Sequence, residues 1–339
     1  MKRQIFYLLA VLLSLFKIEA NMKHRKFFLT PVWREENIFP FNELILSWNG
    51  MRPPEGEFQF FISVKIDDWS PWLLYSSWGS EGQSSFFQSC EQASVQVFQD
   101  AFKVLSNKKA TGFQIKIEMT GGAKLENING LHVYTNGETK KAVPSNLLNV
   151  ASLFLNVKGI SQMTLNCARH KDLCSPTSTT AVTRYLSKKD AIDPISFASH
   201  VWDSGFDIFG NWVLNLAEAS THLSSEWSCW VERVDGFDEI YKQLIEGIPV
   251  IVSVRGPLKG GALPYSKGHL LAIIGYDASH SKVICMDPAF PSDDETLVSY
   301  DLEDFMQAWN RRGNIAYIFR KGVFLQDPTC DSEILSESL

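Results

Sequence analysis

The sequence predicts an α+β protein in two parts, an all-β sandwich followed by a lobe in which helices come first and strands after. Three observations predict it. Residues 34–136 consist of short apolar runs, several of them alternating, punctuated by Pro53-Pro54, Gly79, Gly82 and Gly121-Gly122 and without a helical period. Residues 174–223 then place apolar side chains at helical spacing. Residues 229–319 return mainly to short apolar strands. With 339 residues, 45% of them hydrophobic and 12% aromatic, the chain can fill two cores rather than one. A formal net charge of −6 lacks the concentrated basic face that a nucleic-acid partner needs, so none is expected.

Taken in order, residues 1–20 have Lys2 and Arg3, an apolar run over 5–16, and Ala20 at the end, the pattern of a secretory signal cleaved after Ala20. A secreted or periplasmic location follows. The alternative is an uncleaved amphipathic anchor, because Ile18 and Glu19 make an imperfect cleavage site. The apolar run is too short for a comfortable transmembrane helix and no other stretch approaches that length, so no stable membrane span is expected after signal removal. The basic cluster at residues 23–26 reads as a solvated tail.

The sandwich domain is assigned to residues 21–136, with strands expected at 42–48, 57–66, 71–76, 84–88, 94–99, 112–119 and 130–134. Trp48, Trp69, Trp72 and Trp78 would suit a carbohydrate platform, although aromatic side chains in such domains more often fill the core. A cell-surface or carbohydrate ligand of this domain therefore stays open. Gly137, Lys140-Lys141 and Pro144-Ser145 mark a linker over 137–154. The second domain occupies 155–322, with a tail over 323–339. Within it, 194–204, 212–223, 237–246 and 301–309 read as helices, and 229–234, 249–254, 269–276, 283–286 and 315–319 as strands.

The chemistry centres on Cys174-Ser175-Pro176-Thr177-Ser178. A proline two residues after the cysteine has its φ preset for a first helical turn, so Cys174 sits at a helix mouth. Unpaired N–H groups and the positive end of the helix dipole favour the thiolate there, the reactive form of cysteine. The base must come from elsewhere in the chain. His269 opens the apolar run Leu270-Leu271-Ala272-Ile273-Ile274 after Gly268, which fixes it at a strand end. Eighteen residues later Asp287 closes another short strand. If the two strands are neighbours, Asp287 can hold the far nitrogen of His269 and set its tautomer. Gln162, twelve residues before Cys174, supplies an amide N–H for a developing oxyanion.

Each residue also has a plainer explanation. A lone cysteine at a helix start is usually structural, a lone histidine is often a hydrogen-bonded core residue, and an Asp before Pro288 is an ordinary turn former. Their joint occurrence carries the argument. A rival places Cys167, His170 and Cys174 around a zinc ion, with Cys229 or His222 as fourth ligand. Neither a metal nor a cofactor is part of the leading reading. The six cysteines, Cys90, Cys167, Cys174, Cys229, Cys285 and Cys330, form no dense framework. One or two disulfides would suit an exported chain, and Cys285, inside an apolar strand, reads as a buried thiol.

Gln162, the Cys174–Ser178 segment, Gly268 to Asp277 and Met286-Asp287-Pro288 together resemble the peptidase C39-like group, relatives of the bacteriocin-leader-processing cysteine peptidases. The similarity extends through Phe209-Gly210-Asn211-Trp212, Gly247-Ile248-Pro249-Val250 and Ala308-Trp309, about residues 155–320 in one register. It implies a papain-like cysteine peptidase domain with Cys174 as nucleophile, His269 as base, Asp287 as the orienting residue and Gln162 as oxyanion donor. Two departures stand out: Ser175 where a glycine commonly follows the cysteine, and a Gln-to-Cys interval longer than papain's. The group often carries an amino-terminal module with tryptophans spaced comparably to those here. The expected function is that of an exported cysteine hydrolase acting on peptide or amide bonds through an acyl-enzyme, with a peptide or protein as substrate. The alternatives are an acyl transferase with an amine acceptor at the same site, and an idle binding or adhesion protein. The Gly-rich stretch 256–261, flanked by Pro264, is a candidate lid.

Overall fold

The computed structural model describes residues 24–27, by their backbone alone, 32–137 and 150–322. The signal segment, Lys23, most of the linker and the tail with Cys330 lie outside the described residues.

Ten strands come first: β1 (His24–Phe27), β2 (Val32–Phe41), β3 (Glu43–Gly50), β4 (Glu57–Lys65), β5 (Leu73–Gly79), β6 (Gln83–Cys90), β7 (Val95–Gln99), β8 (Ala101–Val104), β9 (Ala110–Thr120) and β10 (Ile128–Asn136). They form one sheet in the order β1-β10-β3-β8-β7-β6-β5-β4-β9-β2. Alternation explains the inner face. On β4, Phe58, Phe60, Ile62 and Val64 are buried, and on β9 Phe113, Ile115 and Ile117 match them. The sheet turns back on itself at β6, whose first residues pair with β5 and whose last pair with β7. This brings Trp48 of β3 into stacking contact with Phe60 of β4, 4.2 Å between ring centroids, although the two strands are far apart in the sheet order. The Tyr75 hydroxyl donates across the same interior to the Asp100 carbonyl at 2.7 Å.

Two corrections to the sequence reading belong here. Residues 24–27 are not a solvated tail, since their backbone pairs with β10. Strands β2 and β8 were not expected, because β2 reads VWREENIFPF, with charges in mid-strand and a register shift between Glu36 and Phe41 that breaks the alternation.

The rest of the chain contains β11 (Leu153–Phe154), α1 (Cys174–Ser187), α2 (Pro194–Ser199), α3 (Trp212–His222), β12 (Trp227–Arg233), α4 (Phe237–Ile245), β13 (Val250–Val254), β14 (His269–Asp277), β15 (Lys282–Met286), β16 (Leu297–Asp301), α5 (Leu302–Asn310) and β17 (Ile315–Lys321). The second sheet runs β12-β17-β13-β14-β15-β16, with β11 added beside β14. The helix starts are capped as their sequences require: Asp193 accepts from Ser196 N–H, Asn211 from Leu214 N–H and Asp301 from Glu303 N–H. The architecture is thus mixed α+β with two large sheets.

Two apolar cores form, but the boundary between them does not fall at the linker. The first runs from the sandwich interior through α1, α2 and α3 to one face of the second sheet, where Leu270, Ala272 and Ile274 lie. The second fills the other face, with Leu271 and Ile273 against α4 and α5. Strand β3 explains the continuity, because it is buried on both faces. Leu44, Leu46 and Trp48 point into the sandwich, while Glu43, Ser47 and Asn49 meet β12. Strand β12 is an edge strand, and these side chains occupy its open edge. Asn49 donates to the Cys229 carbonyl at 2.8 Å and accepts from the Cys229 N–H at 2.9 Å. Ser47 accepts from the Val231 N–H at 3.1 Å, and Glu43 holds Arg233. Side chains of one half thereby complete the backbone bonding of the other.

Candidate active site

Two facts of topology assemble the site. Strands β14 and β15 are antiparallel neighbours, so the start of one lies beside the end of the other, and His269 and Asp287 reach the same sheet edge. Helix α1 packs on β14, with Ser178 Oγ donating to the Leu270 carbonyl at 3.1 Å, so that its first residue, Cys174, meets His269. His269 Nε2 lies 2.8 Å from Asp287 Oδ1. A carboxylate only accepts, so Nε2 carries the proton and Nδ1 is left to face Cys174, with which the imidazole shares a hydrogen bond. Cys174 is half-buried, while His269 and Asp287 are almost fully enclosed.

Burial opposes each charge here, and the mutual contacts outweigh it. For Cys174 the opposing force is loss of water; the His269 hydrogen bond and charge, with the N–H groups of Leu270 and Ser175, bring the thiol below its ordinary value. For His269, desolvation is overcome by the charge and hydrogen bond of Asp287 and then by Cys174, raising the imidazole to about 10. Asp287 resists burial through the charge and hydrogen bond of His269, the Tyr300 hydroxyl and the Ala289 N–H, and stays below the usual carboxylate value. Both shifts favour the thiolate–imidazolium form of the pair.

The carboxylate is held by groups that local sequence reading did not single out. Tyr265 and Tyr300 donate to Asp287 Oδ2 at 2.8 and 2.6 Å, and the Ala289 N–H donates to Oδ1 at 3.0 Å. Burial and the Asp287 charge raise both phenols, which keeps them protonated donors. The Tyr265 ring also lies flat on the His269 ring, 4.2 Å between centroids and 5° between planes. The only sequence signal was a tyrosine four residues before a histidine that opens a strand, and Tyr300 had none, because β16 was not anticipated.

The candidate lid is anchored by the same tyrosine. Gly256 N–H donates to the Tyr265 carbonyl at 3.1 Å, Ala262 N–H to the Tyr265 hydroxyl at 3.2 Å, and Arg311 to the Arg255 and Pro257 carbonyls. Leu258 and Tyr265 are buried in the second core.

Gln162 is brought close but not as expected. Its backbone N–H donates to the Pro288 carbonyl at 2.9 Å, which ties it to the turn after Asp287. Its amide nitrogen donates to the carbonyls of His170 and Lys171 at 3.0 and 2.9 Å, just ahead of Cys174. Both amide hydrogens are thus engaged, and none faces an oxyanion; reversing the amide would set oxygen against two carbonyls. The Cys174 N–H, in the first turn of α1, has no intrahelical acceptor. Ser175, which departs from the glycine of the resembling group, is fully buried with its hydroxyl 2.9 Å from Tyr317 Oη.

The remaining candidates separate. Cys174 faces His269, His170 Nδ1 lies against the Cys167 carbonyl, Cys229 is buried by Asn49 and the Leu216 carbonyl, and His222 pairs with Glu218. The proposed zinc ligands do not converge. Cys90, Cys167, Cys174, Cys229 and Cys285 are free thiols, so no disulfide joins the described cysteines. Trp48 and Trp78 are buried in the sandwich core, while Trp69 and Trp72 are partly exposed with Arg34 and Lys116 over their rings, so the four do not form one exposed platform. No described helix is long and apolar enough to cross a membrane.

Comparison with known proteins gives two results. The sequence profile described as the Peptidase C39 like family matches residues 154–317. Among solved structures, the chain resembles a candidate C39-like peptidase from Bacillus anthracis, with 20% identity over 51% of this chain and 100% of that one and a TM-score of 0.38. None of the curated proteins compared is similar to it.

Proposed function

We propose, from the premise that residues 154–317 belong to the Peptidase C39 like family, that the chain is an exported, papain-like cysteine peptidase using Cys174, His269 and Asp287. Family membership supports cysteine peptidase activity. The observation that carries the residue assignment is the hydrogen-bonded series Asp287–His269–Cys174 at one sheet edge, anchored by the 2.8 Å contact between His269 Nε2 and Asp287 Oδ1.

In this reading the Cys174 thiolate attacks the scissile carbonyl carbon, and the oxygen takes the negative charge. The Cys174 backbone N–H is the first donor to that oxyanion. Gln162 becomes a second only if its amide turns away from the His170 and Lys171 carbonyls. The His269 Nδ1 proton passes to the leaving amine as the C–N bond breaks, which leaves a thioester on Cys174 and a neutral imidazole. Water then gives its proton to Nδ1 as its oxygen attacks the thioester, and the acid product departs as the thiolate re-forms. Asp287 keeps its charge throughout and holds the ring by Nε2.

The test is treatment of the intact protein with an electrophilic cysteine-peptidase inactivator, followed by mass mapping. Modification at Cys174 is expected, and it is lost with turnover in Cys174→Ala. Full peptide cleavage by Cys174→Ala ends the proposal.

A further inference from the structure

Between the two sheets lies a cavity of about 510 Å3. Lys103, Arg233, Arg311 and Arg312 line it, against the carboxylates of Glu43 and Asp100. Glu43 is taken by Arg233, whose Nη2 donates to Oε1 at 2.8 Å. Asp100 accepts from the Trp212 N–H at 3.1 Å, and burial pushes its carboxyl up to about 7, so its charge is partial at neutral pH. The cavity wall is net positive.

Arg312 is the unusual member. Loss of water lowers its pKa, its Nε donates to Ser253 Oγ at 3.1 Å, and its guanidinium lies 5.5 Å from the centre of the Trp212 ring. No carboxylate pairs with it among the described residues; Asp100 acts on it only through its charge. A half-buried guanidinium with no paired carboxylate keeps its fork available to an anion. Arg312 also lies beside the residue that precedes His269. A Cβ on Gly268, the residue before His269, would stand 3.6 Å from the Arg312 guanidinium carbon. Ser253, which holds Arg312, is paired with Leu270, whose N–H faces Cys174. Tyr317, bonded to Ser175, feels the charges of both Cys174 and Arg312.

We propose that Arg312, which lines this cavity and lies beside Gly268, binds a carboxylate of the peptide substrate, so that acidic peptides are selected. The inference rests on the reading of Cys174 as nucleophile and deepens it. The carboxylate can be the chain terminus or an acidic side chain, and recognition at Arg312 is the same.

The test compares alkylation of Cys174 in the full chain by iodoacetate, an anion, and by its neutral counterpart iodoacetamide. The iodoacetate-to-iodoacetamide rate ratio at Cys174 is expected to fall about tenfold in Arg312→Gln, the scale of one charge-assisted hydrogen bond. It should stay near wild type in Arg312→Lys, and the ratio at Cys167 should not change. An unchanged ratio at Cys174 in Arg312→Gln overturns the inference. Inertness of Cys174 to both reagents overturns the nucleophile reading instead, and this inference with it. Should Arg312→Gln fail to fold, wild-type protein answers: glutarate, and not glutaramide, should protect Cys174 from iodoacetamide, and protection by neither overturns the inference. Peptide pairs then separate the two sources. A preference for a free over an amidated carboxyl terminus, or for Glu over Gln, that vanishes in Arg312→Gln identifies which carboxylate is held, and the absence of both preferences in wild type overturns the assignment.

Discussion

His269 is pulled upward and Cys174 downward, and the two shifts have opposite consequences for stability. A raised imidazole contributes stability that is complete below its unfolded value of about 6.5 and is lost as pH rises through about 10. A lowered thiol contributes stability present above its unfolded value of about 8.5 and lost as pH falls through its folded value. Above about 6.5 the His269 contribution falls with pH, while the lowered thiol makes the Cys174 contribution rise with pH up to about 8.5, so the two slopes oppose each other there. The decline set by His269 is therefore offset by the thiol up to about 8.5 and unopposed above it. In Cys174→Ser the decline with rising pH should be steeper below about 8.5, read from denaturant melts at stepped pH; an unchanged profile would refute the ion pair. The thiol itself gives a second check. His269→Ala removes the two largest causes of its lowering and leaves burial opposed only by the Leu270 and Ser175 N–H groups, so the alkylation profile of Cys174 should move to higher pH.

At the scale of elements, the segment joining β13 to β14 sets the ring that lies on His269. Gly256 lets this segment close on itself, since a Cβ there would stand 1.6 Å from the Pro264 carbonyl oxygen. Gly256→Ala must spread the loop and move Tyr265 off both His269 and Asp287. A loss of roughly 1–3 kcal/mol in urea unfolding is expected, the scale of overpacking, together with slower alkylation of Cys174. A variant as stable and as reactive as wild type would show that the loop does not position the histidine. Tyr300→Phe isolates one bond: the carboxylate loses a donor 2.6 Å away while the core keeps its ring, so turnover should fall with little change in KM.

The whole molecule is organised by β3, whose two faces serve two halves of the chain. Asn49→Ala strips partners from the buried N–H and carbonyl of Cys229, and an unsatisfied buried group costs roughly 1–3 kcal/mol. Because the first core passes without a break from the sandwich to α1 and α3, that loss should be felt at the site as well. Thermal unfolding followed by calorimetry is expected to give one transition for the full chain, shifted down in Asn49→Ala. Two separate transitions, only one of them shifted, would mean that the halves fold independently.

What the sequence determined by itself was local. The alternation of β4 and β9, the helix opening at Cys174, the apolar run that begins at His269 and the strand that ends at Asp287 are each written within about ten consecutive residues. A period or a turn signal in such a stretch has one cheap conformation, and the antiparallel return of β15 along β14 carries His269 and Asp287 to the same edge. The tertiary structure alone decided the pairings between distant residues. It turned the Gln162 amide toward two carbonyls, set Tyr265 and Tyr300 on one carboxylate oxygen, spent Asn49 on the edge of β12, and left Arg312 without a counter-ion beside Gly268. A side chain's hydrogen-bond partner depends on what packing excludes from water around it, and no period in the sequence encodes that.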